Sequence, residues 1–143
     1  MNRRELLLSA AALAVPASLA RSEPVKPARE GALRILILGG TGFIGPHFVR
    51  EALAHGHAVT LFNRGKSQAQ PTPGVETLLG DRDGQLDSLK GRDWDVVIDN
   101  SGYVPRHVRL TTGLLRERVR DYLFISTVAV YADLSAPGVT EDA

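Results

Sequence analysis

The most chemically legible residues of this chain are three glycines at fixed spacing, in Gly39-Gly40-Thr41-Gly42-Phe43-Ile44-Gly45. Before them runs Arg34-Ile35-Leu36-Ile37-Leu38, apolar and rich in β-branched residues, as a buried parallel strand is. After them, apolar residues at Phe43, Ile44, Phe48, Val49, Ala52 and Leu53 keep a helical spacing. In such a strand–turn–helix, Gly39 permits the tight turn off the strand. Gly42, lacking a Cβ, lets the main chain approach a phosphate, and Gly45 lets the helix pack close to the strand. The first turn of the helix offers N–H groups without intrahelical partners and a partial positive charge. The anion that suits this arrangement is a diphosphate. The turn therefore predicts a dinucleotide site formed by Gly39, Gly42, Phe43, Ile44 and Gly45.

The end of the next strand selects between dinucleotides. An acid there accepts from the ribose 2′-hydroxyl of NAD. This chain has Phe62-Asn63-Arg64 instead, with Lys66 close behind. The guanidinium fork of Arg64 can pair a 2′-phosphate. Asn63 and Arg64 thus point to NADP as cofactor, with NAD as the alternative.

The elements that must hold these residues follow from pattern. Strands are expected at 34–38, 58–62, 75–79, 95–98 and 121–126. Helices are expected at 43–55 and 105–120, with a short helical turn at 83–89. Pro46 falls in the first turn of its helix, where a missing N–H costs nothing, and Gly56 ends that helix. Strands alternating with helices imply a parallel sheet with right-handed crossovers. The expected class is α/β, a Rossmann-type doubly wound parallel sheet over 32–143, incomplete at its C-terminal edge.

At these residues the chain resembles the extended short-chain dehydrogenase/reductase superfamily, in its epimerase/dehydratase branch, over roughly 33–142. The resemblance implies further roles. In Gly80-Asp81-Arg82, Asp81 would accept from the adenine amino group, with Arg82 beside it. In Ile98-Asp99-Asn100-Ser101-Gly102, Ser101 and Gly102 would line the cofactor; Asp99 and Ser101 depart from the branch's pattern, where His or Asn and Ala are common. Phe124-Ile125-Ser126-Thr127-Val128-Ala129-Val130-Tyr131 is similar to the branch's serine-rich strand end, which puts Ser126 at the cofactor and Thr127 at the catalytic position, bonding the substrate oxygen. Glu141 matches an acidic position in the following loop. The implied reaction is hydride transfer between the nicotinamide and an oxygen-bearing carbon of a small-molecule substrate. The branch's acid/base, a Tyr with a Lys four residues on, is missing: Tyr103, Tyr122 and Tyr131 are followed at that spacing by His107, Ser126 and Ser135, and no lysine follows Lys90. Two expectations follow. One is the N-terminal piece of a longer enzyme, favoured by an ending in mid-loop. The other is a non-catalytic dinucleotide-binding module that senses redox state or binds RNA.

Composition narrows the remaining classes. The chain has 143 residues, 43% hydrophobic and 23% charged, which fits one soluble domain able to bury a core unaided. The absence of cysteine removes disulfides, thiol nucleophiles and zinc–thiolate sites. Arg3, Arg4 and an apolar stretch ending at Pro16 make residues 1–20 read as a signal peptide, and Asn2-Arg3-Arg4-Glu5-Leu6-Leu7-Leu8 resembles the twin-arginine type; a general secretory signal or a disordered tail are the alternatives. That predicts an exported, periplasmic protein, with no membrane contact after cleavage. Residues 21–31 read as a linker. The formal charge is +1, and residues 1–20 carry two arginines and one glutamate, so the remainder is balanced. Such a balance gives no footprint for nucleic acid. His55 and His57 flank Gly56 but read as a helix-to-strand turn and not as metal ligands; no metal site is expected. Asp81 and Asp83 read as a nucleotide-facing turn and a helix N-cap. The arginines of 106–120 read as a solvated face. A homo-oligomer is left open.

Overall fold

The computed structural model describes residues 30–66, 72–131, 138 and 140. Residues 1–20, expected to be a signal peptide, nearly all of 21–31, expected to be a linker, and Glu141 lie outside the described residues. Five parallel strands, β1 (Arg34–Leu38), β2 (Ala58–Asn63), β3 (Glu76–Leu79), β4 (Trp94–Asp99) and β5 (Val119–Phe124), form one sheet in the order β3-β2-β1-β4-β5. Helix α1 (Gly45–Ala54) connects β1 to β2, and α2 (Pro105–Leu115) connects β4 to β5. This is the expected Rossmann-type α/β sheet.

Side-chain alternation along the central strands explains the two layers. On β1, Ile35 and Ile37 face one side and Leu36 and Leu38 the other. Ile35 and Ile37 join Val49 and Ala52 of α1, with Val59, Leu61 and Val96. Leu36 and Leu38 join Leu115 of α2, with Phe62, Leu78, Leu86, Leu89, Trp94 and Val97. A strand buried on both faces has no polar phase, which is why β1 reads as an unbroken apolar run.

Element ends move where tertiary pairing overrides local spacing. Helix α1 begins at Gly45, two residues later than expected, because Thr41 to Ile44 are taken up by the turn. Helix α2 ends at Leu115 and not at 120. Val119 is drawn against Trp94 in the sheet, and Arg118 N–H turns back to the Leu115 carbonyl at 2.8 Å. Strand β5 consequently starts and ends two residues early, and Ser126 and Thr127 fall beyond it. The helical turn expected at 83–89 shrinks to a single 3-10 turn at Asp87–Leu89. Asp83 does not cap it. Its carboxylate instead meets Arg106 and His107 at the start of α2, with His107 Nε2 at 2.9 Å. Arg106 first, then His107, holds the Asp83 carboxyl below its ordinary range. Among the described residues no helix is long and apolar enough to cross a membrane.

Candidate functional site

Parallel strands end together, so the loops after β1, β2, β3 and β4 meet at one edge of the sheet. There they surround a cavity of about 1080 Å³. Its walls include Gly39, Gly42, Phe43 and Ile44 after β1, Asn63 at the end of β2 with Arg64 and Lys66 after it, Asp81 and Arg82 after β3, and Asn100, Ser101 and Tyr103 after β4. These loops lie up to 64 residues apart in the sequence, from Gly39 to Tyr103.

The glycine turn has three different constraints. Gly39 sits at φ +87°, a conformation that residues with a Cβ rarely adopt. A Cβ on Gly45 would overlap the Gly40 main chain, so the close packing runs between the first residue of α1 and the turn, not the strand itself. A Cβ on Gly42 would meet nothing nearer than the Gly39 carbonyl at 4.0 Å; its open side is the cavity. Ile44, the N-cap of α1, supplies no side-chain acceptor; Pro46 has no N–H and His47 N–H donates to the Ile44 carbonyl at 3.0 Å, so the amides next to the cavity are those of the turn, Gly42 to Ile44. Both features fit a group carrying phosphate oxygens. Phe43 is 95% exposed at the rim.

Arg64 and Lys66 are exposed, and a smaller cavity of about 390 Å³ adjoins them, walled by Leu79, Gly80, Asp81 and Gln85. Asp81 is half-buried; its Oδ1 accepts from Asp83 N–H at 3.0 Å, and its main chain exchanges hydrogen bonds with Gln85.

Arg82, expected beside the cofactor, lies in the cavity wall, with its guanidinium directed into the protein. It is 6% exposed, and its guanidinium grips the carboxylate of Asp99, which is fully buried. Nη2 donates to Asp99 Oδ2 at 2.7 Å and to Thr111 Oγ1 at 3.0 Å. A buried arginine and a buried aspartate are each costly alone and satisfied together, which accounts for Asp99 at the end of an apolar strand. Tyr122 donates its hydroxyl to Asp99 Oδ2 at 2.6 Å. Burial, and then Asp99, push the Tyr122 phenol well above its ordinary pKa, so it is unsuited to trade protons near neutral pH.

Four expected residues, Gly45, Gly102, Ser126 and Thr127, stand apart from the cavity. Gly45 and Gly102 are not in its wall; Gly102 backs onto Phe124 and Val108, where a Cβ would lie 2.7 and 2.8 Å from their carbons. Ser126 and Thr127 are exposed beyond β5, and Thr127 Oγ1 accepts from Ala129 N–H at 3.3 Å within its own turn. Asp83, His107 and Tyr103, by contrast, line the cavity. The spacing of α2 gave no hint of this for His107, because the contact depends on how the helix meets the loop after β3. His57 Nδ1 accepts from Leu33 N–H at 3.1 Å, tying the start of β2 to the start of β1, and its own N–H closes the helix-to-strand turn on the Ala52 carbonyl at 3.0 Å. Among the described residues no cluster of three metal-ligating side chains occurs.

Sheet order, the glycine turn and the cavity at the strand ends define a Rossmann-type fold with a site at its carboxyl edge. The model of the NAD dependent epimerase/dehydratase family matches residues 35–109, more than half of the chain, and the chain belongs to that family. It is 36% identical over 114 residues to the chloroplast stem-loop binding protein of 41 kDa b of Arabidopsis thaliana, covering 68% of this chain and 30% of that protein. A UDP-galactose 4-epimerase structure superposes with TM-score 0.62 at 24% identity, over 73% of this chain and 41% of that one. The dTDP-glucose 4,6-dehydratase of Bacillus anthracis, solved with NAD, superposes with TM-score 0.62 at 23% identity, over 78% and 43%. The chain spans less than half the length of each of these relatives.

Proposed function

We propose that the cavity binds NADP, and that this chain is the cofactor-holding portion of an epimerase/dehydratase- or reductase-type enzyme acting on a small-molecule substrate. The observation that carries the reading is the cavity itself: a glycine turn with an open Cβ direction at Gly42 at one side, and two exposed cations, Arg64 and Lys66, at the end of β2. The main-chain N–H groups of the glycine turn at Gly42, Phe43 and Ile44, which line the cavity, would hold the diphosphate, and Asp81 would face the adenine end. Arg64, with Lys66, would meet the 2′-phosphate, for which the adjoining small cavity provides room. The bound cofactor would supply hydride chemistry; the chain supplies position and charge.

A second reading is a non-catalytic dinucleotide-binding module. The exposed position of Ser126 and Thr127 outside the cavity, and the commitment of Tyr122 to Asp99, favour it, since neither group reaches the site. One relative is named for stem-loop binding. The arginines around α2 lend an RNA role little support, because Arg106, Arg118 and Arg120 are each paired with an aspartate.

The test is calorimetric titration with NADP and NAD. Wild type should bind NADP more tightly, by about tenfold for one charge-assisted contact, and Arg64→Ala should remove the difference. Equal affinities in wild type would refute the NADP assignment.

A further inference from the structure

Two residues depart from the branch's pattern after β4, Asp99 and Ser101, and the structure joins them to one arginine. Arg82 Nη1 donates to Asp99 Oδ1 and lies 3.4 Å from Ser101 Oγ. Ser101 N–H donates to Asp99 Oδ1 at 3.2 Å. Thr111 Oγ1, which accepts from Arg82, gives its own proton to the His107 carbonyl at 2.8 Å. The buried pair thus ties the loop after β3, the end of β4, helix α2 and, through Tyr122, strand β5. Arg82 and Ser101 both lie in the cavity wall, where Ser101 abuts the glycine turn: a Cβ on Gly39 would lie 2.6 Å from Ser101 Cβ.

The direction of the hydrogen bond decides what this achieves. A guanidinium only donates, so its contact takes a lone pair of Ser101 Oγ and leaves the hydroxyl proton to be given elsewhere. Among the described residues no acceptor takes that proton. The opening available to it is the cavity that Ser101 lines, next to a turn suited to phosphate. A donor polarised by a neighbouring cation gives a stronger bond to an anionic oxygen than a free serine would.

We propose that Arg82 is a positioning residue: held by Asp99, it fixes Ser101 as a hydrogen-bond donor to an anionic oxygen of the bound dinucleotide. This rests on the reading of the cavity as a dinucleotide site. It also explains why Asp99 and Ser101 occur together, since an alanine at 101 would leave Arg82 nothing to orient.

The experiment is a double-mutant cycle on the full chain, with Kd for NADP and NAD measured by calorimetry and folding followed by thermal melting. Ser101→Ala should raise Kd by about tenfold with an unchanged melting temperature. Arg82→Met should raise Kd by a similar factor, but by less than about twofold once Ser101 is already alanine, because both changes remove one interaction. If Arg82→Met does not fold, the charge-free pair Arg82→Met with Asp99→Leu takes its place in the cycle. An unchanged Kd for Ser101→Ala, or fully additive losses, would overturn the proposal while leaving the site intact. A wild type that binds neither dinucleotide would overturn the functional reading, and this proposal with it.

Discussion

Gly42 and Gly45 illustrate how equal residues in one motif serve different ends. At Gly42 the space for a Cβ is the cavity, whereas at Gly45 it is already filled by the Gly40 main chain. Gly45→Ala should therefore act on stability, costing about 1–3 kcal/mol as overpacking does, and lower the melting temperature even without ligand. The motif's three recognised glycines were readable from their spacing. Gly40 was not, although a Cβ there would run into Leu61 of β2. Nothing local to Gly40 encodes the position of a strand 21 residues away. The same holds for Arg82: its place beside Asp81 suggests a ligand contact but not the ion pair with Asp99 that the fold creates. Asp99, in turn, could be recognised as a departure from pattern but not explained, since its partners Arg82 and Tyr122 come from the loop after β3 and from β5.

Elements were legible where hydrophobic period and punctuation agreed. The strands 34–38 and 58–62 and the helix after the glycine turn are found within two residues of their expected ends. The misplaced end of α2 shows the opposite case, in which helical spacing continues past Leu115 but sheet register claims Val119. The starts of β1 and β4 are pinned differently. Asp95 Oδ2 accepts from Arg34 N–H at 2.7 Å, and Oδ1 from Arg34 Nη2 at 3.1 Å. These bonds, the side-chain one foremost, hold the Asp95 carboxyl below its ordinary range. A carboxylate with a depressed folded pKa contributes stability above its unfolded pKa of about 3.9, and the contribution is lost as pH falls through the lower folded value. Asp95→Asn should therefore lower stability near neutral pH, by about 1 kcal/mol or less for a partly exposed pair. The gap between variant and wild type should close below about pH 4 in denaturant titrations followed across pH. A gap independent of pH would show that the charge of Asp95 plays no part.

On the scale of the whole molecule, a parallel sheet gathers loops remote in sequence along one edge, and the cavity there draws on four of them. The sheet also presents apolar side chains at its β5 side: Leu123, Phe124 and Ile125 are 50%, 45% and 38% exposed. An edge of that kind invites pairing with further chain or with another molecule. Ser126 and Thr127 follow β5 directly and are exposed, outside the cavity wall. The proposed function rests on the cavity, where main-chain amides of the glycine turn would face the diphosphate. The most direct test is calorimetric titration of NADP into wild type and Gly42→Val, with melting curves of both. The structure predicts saturable binding by wild type, and loss of that binding in a variant that melts at nearly the same temperature. Undiminished affinity in Gly42→Val would contradict the account, because a side chain there must fill the space assigned to the diphosphate.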